Sequence, residues 1–220
     1  MKGENISPCV LVTSGPTRAY LDRVRYIENT STGALGARIV EALIERGVPV
    51  KHLRGPGAEP PAVIGSPLLE TLPIVTIEDL IRRVRESVAS GDIRAVVHAM
   101  AVLDYVPEQS FREKRPSDTE RWDLRLTRTP KVTSIIRELL PEARIIGFKL
   151  EAGIEEEELI RRAAASLRKH NLDLVVANDL DRIGPDTHEA LFVGPEGNVL
   201  ERASTKREIA RKVTEFLLNT

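Results

Sequence analysis

Short apolar runs of strand length alternate with stretches of helical periodicity along most of this chain, and that alternation limits its fold more than any other feature. Cys9 to Thr13 is an apolar run closed by Ser14-Gly15-Pro16, a buried strand followed by a turn. Leu35, Ile39, Leu43 and Ile44 recur at helical spacing, and Gly47 ends that helix. Val48 to Leu53 reads as a weaker strand, and Ile77, Leu80, Ile81, Val84 and Val88 line one face of a second helix. Arg94 to Val102, carrying Ala95-Val96-Val97, is the clearest central strand. Lys131 to Leu140 is helical, Arg144 to Leu150 a strand, Glu155 to Lys169 a helix and Leu172 to Ala177 a further buried strand.

Strands joined through helices run parallel, because the crossover returns the chain to the same end of the sheet. Such a sheet is covered by helices on both faces. The expectation is therefore α/β: a doubly wound, mostly parallel, Rossmann-like sheet forming a single domain over residues 1–220. The end of the chain departs from the pattern. Ala190-Leu191-Phe192-Val193 and Asn198-Val199-Leu200 flank Gly194-Pro195-Glu196-Gly197, which predicts an antiparallel hairpin. Thr205 followed by Glu208 is a capping box for a final helix with Ile209, Val213, Phe216 and Leu217 on its apolar side. The acidic run Glu155 to Glu158 falls in a first helical turn, where carboxylates suit the helix dipole.

Charge excludes several classes of partner. The 32 basic and 33 acidic residues nearly cancel, so no global field draws the chain to nucleic acid or to a membrane surface. A small anion needs only a local positive site. The lone cysteine, Cys9, allows no internal disulfide, and its apolar run reads as a buried, inert thiol. No run of 18 apolar residues is present, and Met1 to Pro8 lacks the apolar stretch of a signal peptide. A cytoplasmic protein is expected.

Chemistry concentrates where strands end. Thr13-Ser14-Gly15-Pro16-Thr17-Arg18 follows the first strand, where a turn can aim backbone N–H groups and hydroxyls at a phosphate; an ordinary strand-to-loop turn has the same sequence. In Asn29-Thr30-Ser31-Thr32-Gly33-Ala34-Leu35-Gly36, Ser31 or Thr32 can cap the next helix. Gly33 allows a ligand close to the backbone, and Gly36 allows helix against strand. A capped helix without a ligand fits as well. Small residues in His98-Ala99-Met100-Ala101-Val102-Leu103-Asp104-Tyr105 leave room at the central strand's end, and Asp104 offers a carboxylate to a ligand or a hydrated Mg²⁺, or simply caps a loop. His98, in an apolar run, reads as a core residue.

Tyr105 to Arg121 is a long polar stretch of the kind that forms lids and binding loops, or disordered segments. Its Lys114-Arg115 pair places cations where they can close over phosphates, although most loop lysines do nothing of the kind. Phe148 can lie against a nucleobase or pack in the core, and Asn178 can read polar edges or make a turn.

A nicotinamide-dependent oxidoreductase is the competing reading, with Arg54 facing a 2′-phosphate. The glycines, however, are separated from the first strand by the insertion Arg18 to Glu28, and the second strand ends on His52-Leu53-Arg54 without a carboxylate. Tyr20, Tyr26 and Tyr105 also have no lysine four residues on.

In this order the motifs resemble the phosphopantothenoylcysteine synthetase (phosphopantothenate–cysteine ligase) family. The resemblance rests on Thr-Ser-Gly-Pro-Thr-Arg (13–18), Val-Arg-Tyr-Ile-Glu-Asn-Thr-Ser-Thr-Gly (24–33), His-Ala-Met-Ala-Val-Leu-Asp-Tyr (98–105), Thr-Pro-Lys (129–131), Gly-Phe-Lys-Leu (147–150) and Asp-Leu-Val-Val-Ala-Asn-Asp (173–179). It implies a ligase of coenzyme A biosynthesis, in its stand-alone bacterial form rather than fused behind a flavin-dependent decarboxylase. The 4′-phosphopantothenate carboxylate would be activated by CTP, or ATP, with Mg²⁺, and the acyl-nucleotide captured by cysteine.

Carried over, Asn29 contacts the acyl-nucleotide and Lys114 is the flap lysine. Ser14, Gly15, Thr17, Gly33, Ala101, Asp104, Pro130, Lys131, Val132, Thr133, Phe148 and Lys169 bind nucleotide. Asn29 and Asn178 bind substrate, and Asp104 is the metal candidate. A homodimer is implied. The chain departs from the family pattern at Pro16, where a second glycine is usual, at Ala165, where a lysine is common, and in its flap, Glu113-Lys114-Arg115-Pro116. These departures also admit a non-catalytic nucleotide-binding relative.

Overall fold

A computed structural model describes residues 9–91, 93–118 and 120–219. Met1 to Pro8, read above for a leader, lie outside the described residues.

Strand β1 (Cys9–Ser14) is followed by a small hairpin, β2 (Arg18–Tyr20) and β3 (Tyr26–Glu28), then helix α1 (Ala34–Glu45) and β4 (Val50–Arg54). Next come β5 (Leu69–Pro73), α2 (Ile77–Ala89) and β6 (Ile93–His98). The polar stretch begins at β7 (Tyr105–Pro107) and returns through β8 (Leu126–Arg128) to α3 (Val132–Leu139). The chain closes with β9 (Arg144–Glu151), α4 (Glu156–His170), β10 (Leu174–Asp179), β11 (Ala190–Val193), β12 (Val199–Ala203) and α5 (Lys206–Leu218).

One eight-stranded sheet runs β12-β11-β10-β9-β6-β1-β4-β5. From β5 to β10 all pairings are parallel, and β11 and β12 add antiparallel. The doubly wound sheet and its closing hairpin are as the sequence predicts. The chain builds outward from β1 through β4 and β5, then returns to lay β6 on the other side of β1. Crossovers at that reversal leave on opposite faces, so a crevice opens at the carboxyl ends of β1 and β6.

Side-chain alternation supplies both faces of the core. Val10 and Val12 pack with Ile39 and Leu43 of α1 and Ile209 and Val213 of α5. Leu11 packs on the other face with Leu80 and Val84 of α2, Ile136 of α3 and Leu167 of α4. Each buried leucine or isoleucine of this kind contributes roughly 1.5–3 kcal/mol.

Caps mark the helix ends. Thr76 and Asp79 form a capping box at α2, and α4 opens on Glu156, Glu157 and Glu158 and stops at Asn171 in the left-handed region, φ 49°. At α5 the Thr205 hydroxyl accepts from Glu208 N at 3.1 Å, while the Glu208 carboxylate takes Ser204 N at 2.9 Å, one residue earlier than a strict capping box.

Several expectations need correction. The central strand stops at His98 rather than Val102: its pairing with β9 ends at Gly147, while Ala99 and Ala101 stay bonded to the end of β1 and its turn. Neither Ser31 nor Thr32 caps α1. Its N-cap is Gly33 at φ 70°, and the Thr32 hydroxyl reaches Ala34 N at only 3.4 Å. Strand β5 and the hairpins β2–β3 and β7–β8 were not legible in the sequence. β5 is an edge strand without clean alternation, and the hairpin strands are three residues each, too short for a periodic signal.

Candidate active site

The last residues of β1 are clamped from both sides. Thr13 Oγ1 meets His98 Nδ1 at 2.7 Å, and Ser14 Oγ meets His52 Nε2 at 2.7 Å. Burial lowers both imidazoles to a pKa of about 4, with smaller contributions from Lys131 at His98 and Arg54 at His52. Both rings are neutral at pH 7, and His98 is the core residue its apolar run predicts.

Beyond the strand, the turn 15–17 is zipped to the segment after β6. Ala101 N donates to Gly15 O at 2.9 Å, Thr17 N to Ala101 O at 3.2 Å, and Leu103 N to Thr17 Oγ1 at 3.1 Å. Pro16 sits inside this bridge, which uses its neighbours' polar groups, so its missing N–H costs no bond here. Asn29 Nδ2 donates to the same Ala101 carbonyl at 3.1 Å. Thr129 ties in the far strap, its hydroxyl to Leu103 O at 2.7 Å and its N–H to Asp104 O at 3.0 Å.

The glycines are packed by the chain itself. A Cβ on Gly15 would stand 2.6 Å from Ala58 Cβ, and one on Gly33 would stand 2.7 Å from it. Ala58 of the Pro/Gly-rich loop at 55–61 thus packs on both glycines where a side chain would otherwise stand. Gly36 does what was expected of it, since a Cβ there would come 2.2 Å from Ser14 Cβ.

Pro130 leads into α3, whose N-cap is Lys131. No side chain caps that end among the described residues, and no acidic residue lies in its first turn. The N–H groups of Val132 and Thr133 therefore face the rim with the positive end of the helix dipole. Lys131 pairs with Asp104 Oδ1. Lys169, exposed in the last turn of α4, is nearby: His170 meets Ser134 Oγ of α3 at 3.1 Å, and its pKa is lowered by burial and then by Lys169 and Lys131. Asp104 and Lys131 thus make a charged pair beside the Asn29 crevice, and Lys169 shares with Lys131 an influence on His170.

Among the described residues no group of three or more His, Cys, Asp or Glu side chains could hold a metal ion. Asp104 is exposed and keeps Oδ2 free of Lys131. One such carboxylate, with phosphate oxygens and water, fits the way Mg²⁺ is usually held beside nucleotides.

Phe148 lies on β9, half-buried against the core face that carries α1 and α5. Asn178 is buried on β10, and its amide donates to Glu189 O at 2.7 Å, so in this conformation it holds the segment before β11 rather than an open edge. A hollow of about 220 Å³ near β10–β12 is lined by Glu156, Arg182, Glu189 and Arg202, whose charges pair with one another.

The flap between β7 and β8 carries Lys114, exposed and without an acceptor among the described residues. It rests on the tip of the β2–β3 hairpin, where Arg115 N donates to Asp22 Oδ2 at 3.1 Å. Lys114, next to Arg115, therefore sits over the tip of the hairpin whose base leads into Asn29. Sequence reasoning missed Asp22 and Arg25. The signal was present in Asp22-Arg23-Val24-Arg25, an aspartate placed to close a tight turn on its own backbone.

Residues 6–220 match the family model described as the DNA/pantothenate metabolism flavoprotein C-terminal domain. The chain belongs to that family. It is 34% identical over 209 residues to the coenzyme A biosynthesis bifunctional protein CoaBC of Thermococcus kodakarensis, covering 93% of this chain and 49% of that protein. The chain thus spans about half the length of the curated relatives it matches. The crystal structure of the DNA/pantothenate metabolism flavoprotein from Streptococcus pneumoniae superposes with a TM-score of 0.87 at 34% identity, over 96% of this chain and 98% of that one. A Cab2 variant solved in complex with phosphopantothenate-cysteine shares the fold, with a TM-score of 0.73 at 21% identity over 96% of this chain and 87% of its own. Among the described residues no helix is long and apolar enough to cross a membrane.

Proposed function

We propose that residues 1–220 form one phosphopantothenate–cysteine ligase domain, whose reaction runs in the crevice between β1 and β6. The observation that carries this reading is the position of Asn29. Its amide is held at the Ala101 carbonyl, between the turn 15–17 and the Asp104–Lys131 pair, at the sheet's switch point. The family supports the reading, since the CoaBC relatives are named for coenzyme A biosynthesis and the Cab2 variant holds phosphopantothenate-cysteine.

A carboxylate is a poor electrophile, so the 4′-phosphopantothenate carboxylate first attacks the α-phosphate of a nucleoside triphosphate. An acyl–O–P bond forms and pyrophosphate leaves. The cysteine amine then attacks the acyl carbon, loses a proton and expels the nucleoside monophosphate. In this scheme Lys131, Lys169 and the first turn of α3 bind the phosphates, Lys114 covers them from the flap, and the Asn29 amide turns from Ala101 to the oxygen on which charge develops. Asp104 would hold a Mg²⁺ that offsets phosphate charge. Phe148 borders the base, and Asn178 meets substrate once released from Glu189.

CTP is the preferred nucleotide in this reading, which the family resemblance supports. The protein works in the cytoplasm as a homodimer. Tyr20, Val24 and Tyr26 on one hairpin and Tyr105 and Leu126 on the other are exposed large apolar side chains, of the kind a partner subunit would cover. The test is pyrophosphate release from 4′-phosphopantothenate, Mg²⁺ and either CTP or ATP, followed by addition of cysteine. Release that requires the acid, and product that requires cysteine, is expected; no release with either nucleotide rejects the assignment.

A further inference from the structure

Nearly every residue of the flap's outer half is exposed, so apolar burial does not hold it. Across 108–118 the one half-buried residue is Arg115. Both of its backbone polar groups are engaged by a single ion pair on the β2–β3 hairpin. Its N–H donates to Asp22 Oδ2 at 3.1 Å, and its carbonyl accepts from Arg25 Nη2 at 2.6 Å. Asp22 is only 1% exposed although it sits at a hairpin tip. Its Oδ1 accepts from the N–H groups of Val24 and Arg25, at 2.9 Å each, and its Oδ2 from Arg25 Nε and Nη2 at 2.9 and 2.6 Å.

Around this pair, the guanidinium groups of Arg25 and Arg115 both lie over the Trp122 ring, 4.7 and 4.9 Å from its centre. Phe111 completes the cluster, with Arg115 over its ring at 5.4 Å and its N–H on Leu21 O at 3.0 Å.

We propose that Asp22 is a positioning residue that latches the flap to the β2–β3 hairpin and so sets Lys114 over the site. The Arg115 N–H that it holds belongs to the peptide bond following Lys114. At its other end the same hairpin is closed by the Arg18–Glu28 ion pair, and the next residue is Asn29. One short, doubly bonded piece of chain therefore spans the groups read here as binding the acyl-nucleotide and its phosphates. Without the latch, Lys114 would sample many positions and its charge would meet the phosphates less often. Arg25 above all keeps the Asp22 carboxyl well below the usual range, so the latch persists at every working pH. The role of Lys114 rests on the ligase reading; the latch itself does not.

Trp122 is the only tryptophan and lies inside the latch, so its emission reports the docked flap directly. Asp22→Asn keeps the shape and removes the charge. The expected result is red-shifted Trp122 emission, a severalfold rise in acrylamide quenching, and a KM for nucleoside triphosphate raised by about threefold, less than the loss of Lys114 itself would cost, with a smaller change in kcat. Arg25→Lys, which keeps the charge but loses the fork, should show the same pattern more weakly. Trp122 emission and quenching unchanged in both variants would overturn the latch. Trp122 released with KM unchanged would overturn its role in placing Lys114. If the unaltered protein releases no pyrophosphate, the ligase reading falls, while Trp122 quenching in the two variants still decides the latch.

Discussion

Where the turn 15–17 meets the segment after β6, the bonds run mainly from backbone to backbone; where the flap meets the hairpin tip, one bond is of that kind, Phe111 N to Leu21 O, and the others run from the Asp22 and Arg25 side chains to the Arg115 backbone. The first contact lies on the core and is closed by residues that cannot shift far. The second lies at the surface around one buried carboxylate, and it opens when Asp22 and Arg25 let go of the Arg115 backbone and the Phe111–Leu21 bond breaks. An enzyme that must bind a triphosphate and release pyrophosphate needs both: a fixed frame that orients the reacting atoms and a cover that leaves and returns.

The sharpest way to break that contrast is to crowd the frame. A Cβ on Gly55 would come 2.1 Å from Pro16 O, a backbone atom that the bridge to Ala101 holds in place. Gly55→Ala should lower unfolding stability by about 3 kcal/mol in denaturant titration. A loss under about 1 kcal/mol would show the frame to be as yielding as the flap.

Asn29→Ala separates chemistry from framework. The Ala101 carbonyl keeps its bond from Thr17 N, so stability should barely change. Turnover should fall about a hundredfold, or about 2.7 kcal/mol, with acyl-nucleotide accumulating before cysteine captures it. Full turnover in this variant would remove Asn29 from the mechanism.

The frame should also be the acid-sensitive half. His52 and His98 titrate near pH 4 when folded, against an ordinary value of 6.5. Between those values the unfolded chain binds more protons than the folded one. Their contribution is thus complete above about pH 6.5 and is lost as pH falls toward 4, by up to about 1.4 kcal/mol per pH unit for each histidine. His98→Gln should flatten that slope by about one proton, and an unaltered slope would mean His98 is already charged in the folded protein.

The smallest effect belongs to the cover. Lys114→Ala should slow the nucleotide-dependent step by about fivefold, close to 1 kcal/mol, with the melting temperature unchanged. Wild-type rates would move the role to Arg115.

How much could be read in advance differs in the same way. The end of β1, the α1 glycines and the Thr-Pro-Lys strap are contiguous motifs, and each was visible where it stands. The latch was not, because the Asp22–Arg25 turn lies 90 residues from Arg115 and neither segment announces the other. Gly33 was visible, but its packing neighbour was not. A glycine at φ 70° announces close approach, yet its partner, Ala58, lies 25 residues away in a loop with no periodic signal.

The parallel, doubly wound sheet, its closing hairpin and the Thr205 cap of the last helix were legible in the sequence alone, since strand and helix periods and a capping residue act over a few neighbours. Only the tertiary structure decided that Ala58 of the 55–61 loop packs on the glycines, that the segment after His98 parts from β9 while staying bonded to the β1 turn, and that Asp22 and Arg25 bond the flap. Those outcomes depend on which distant segments compete for the same space and the same backbone hydrogen bonds, and that competition is resolved only once the chain has packed.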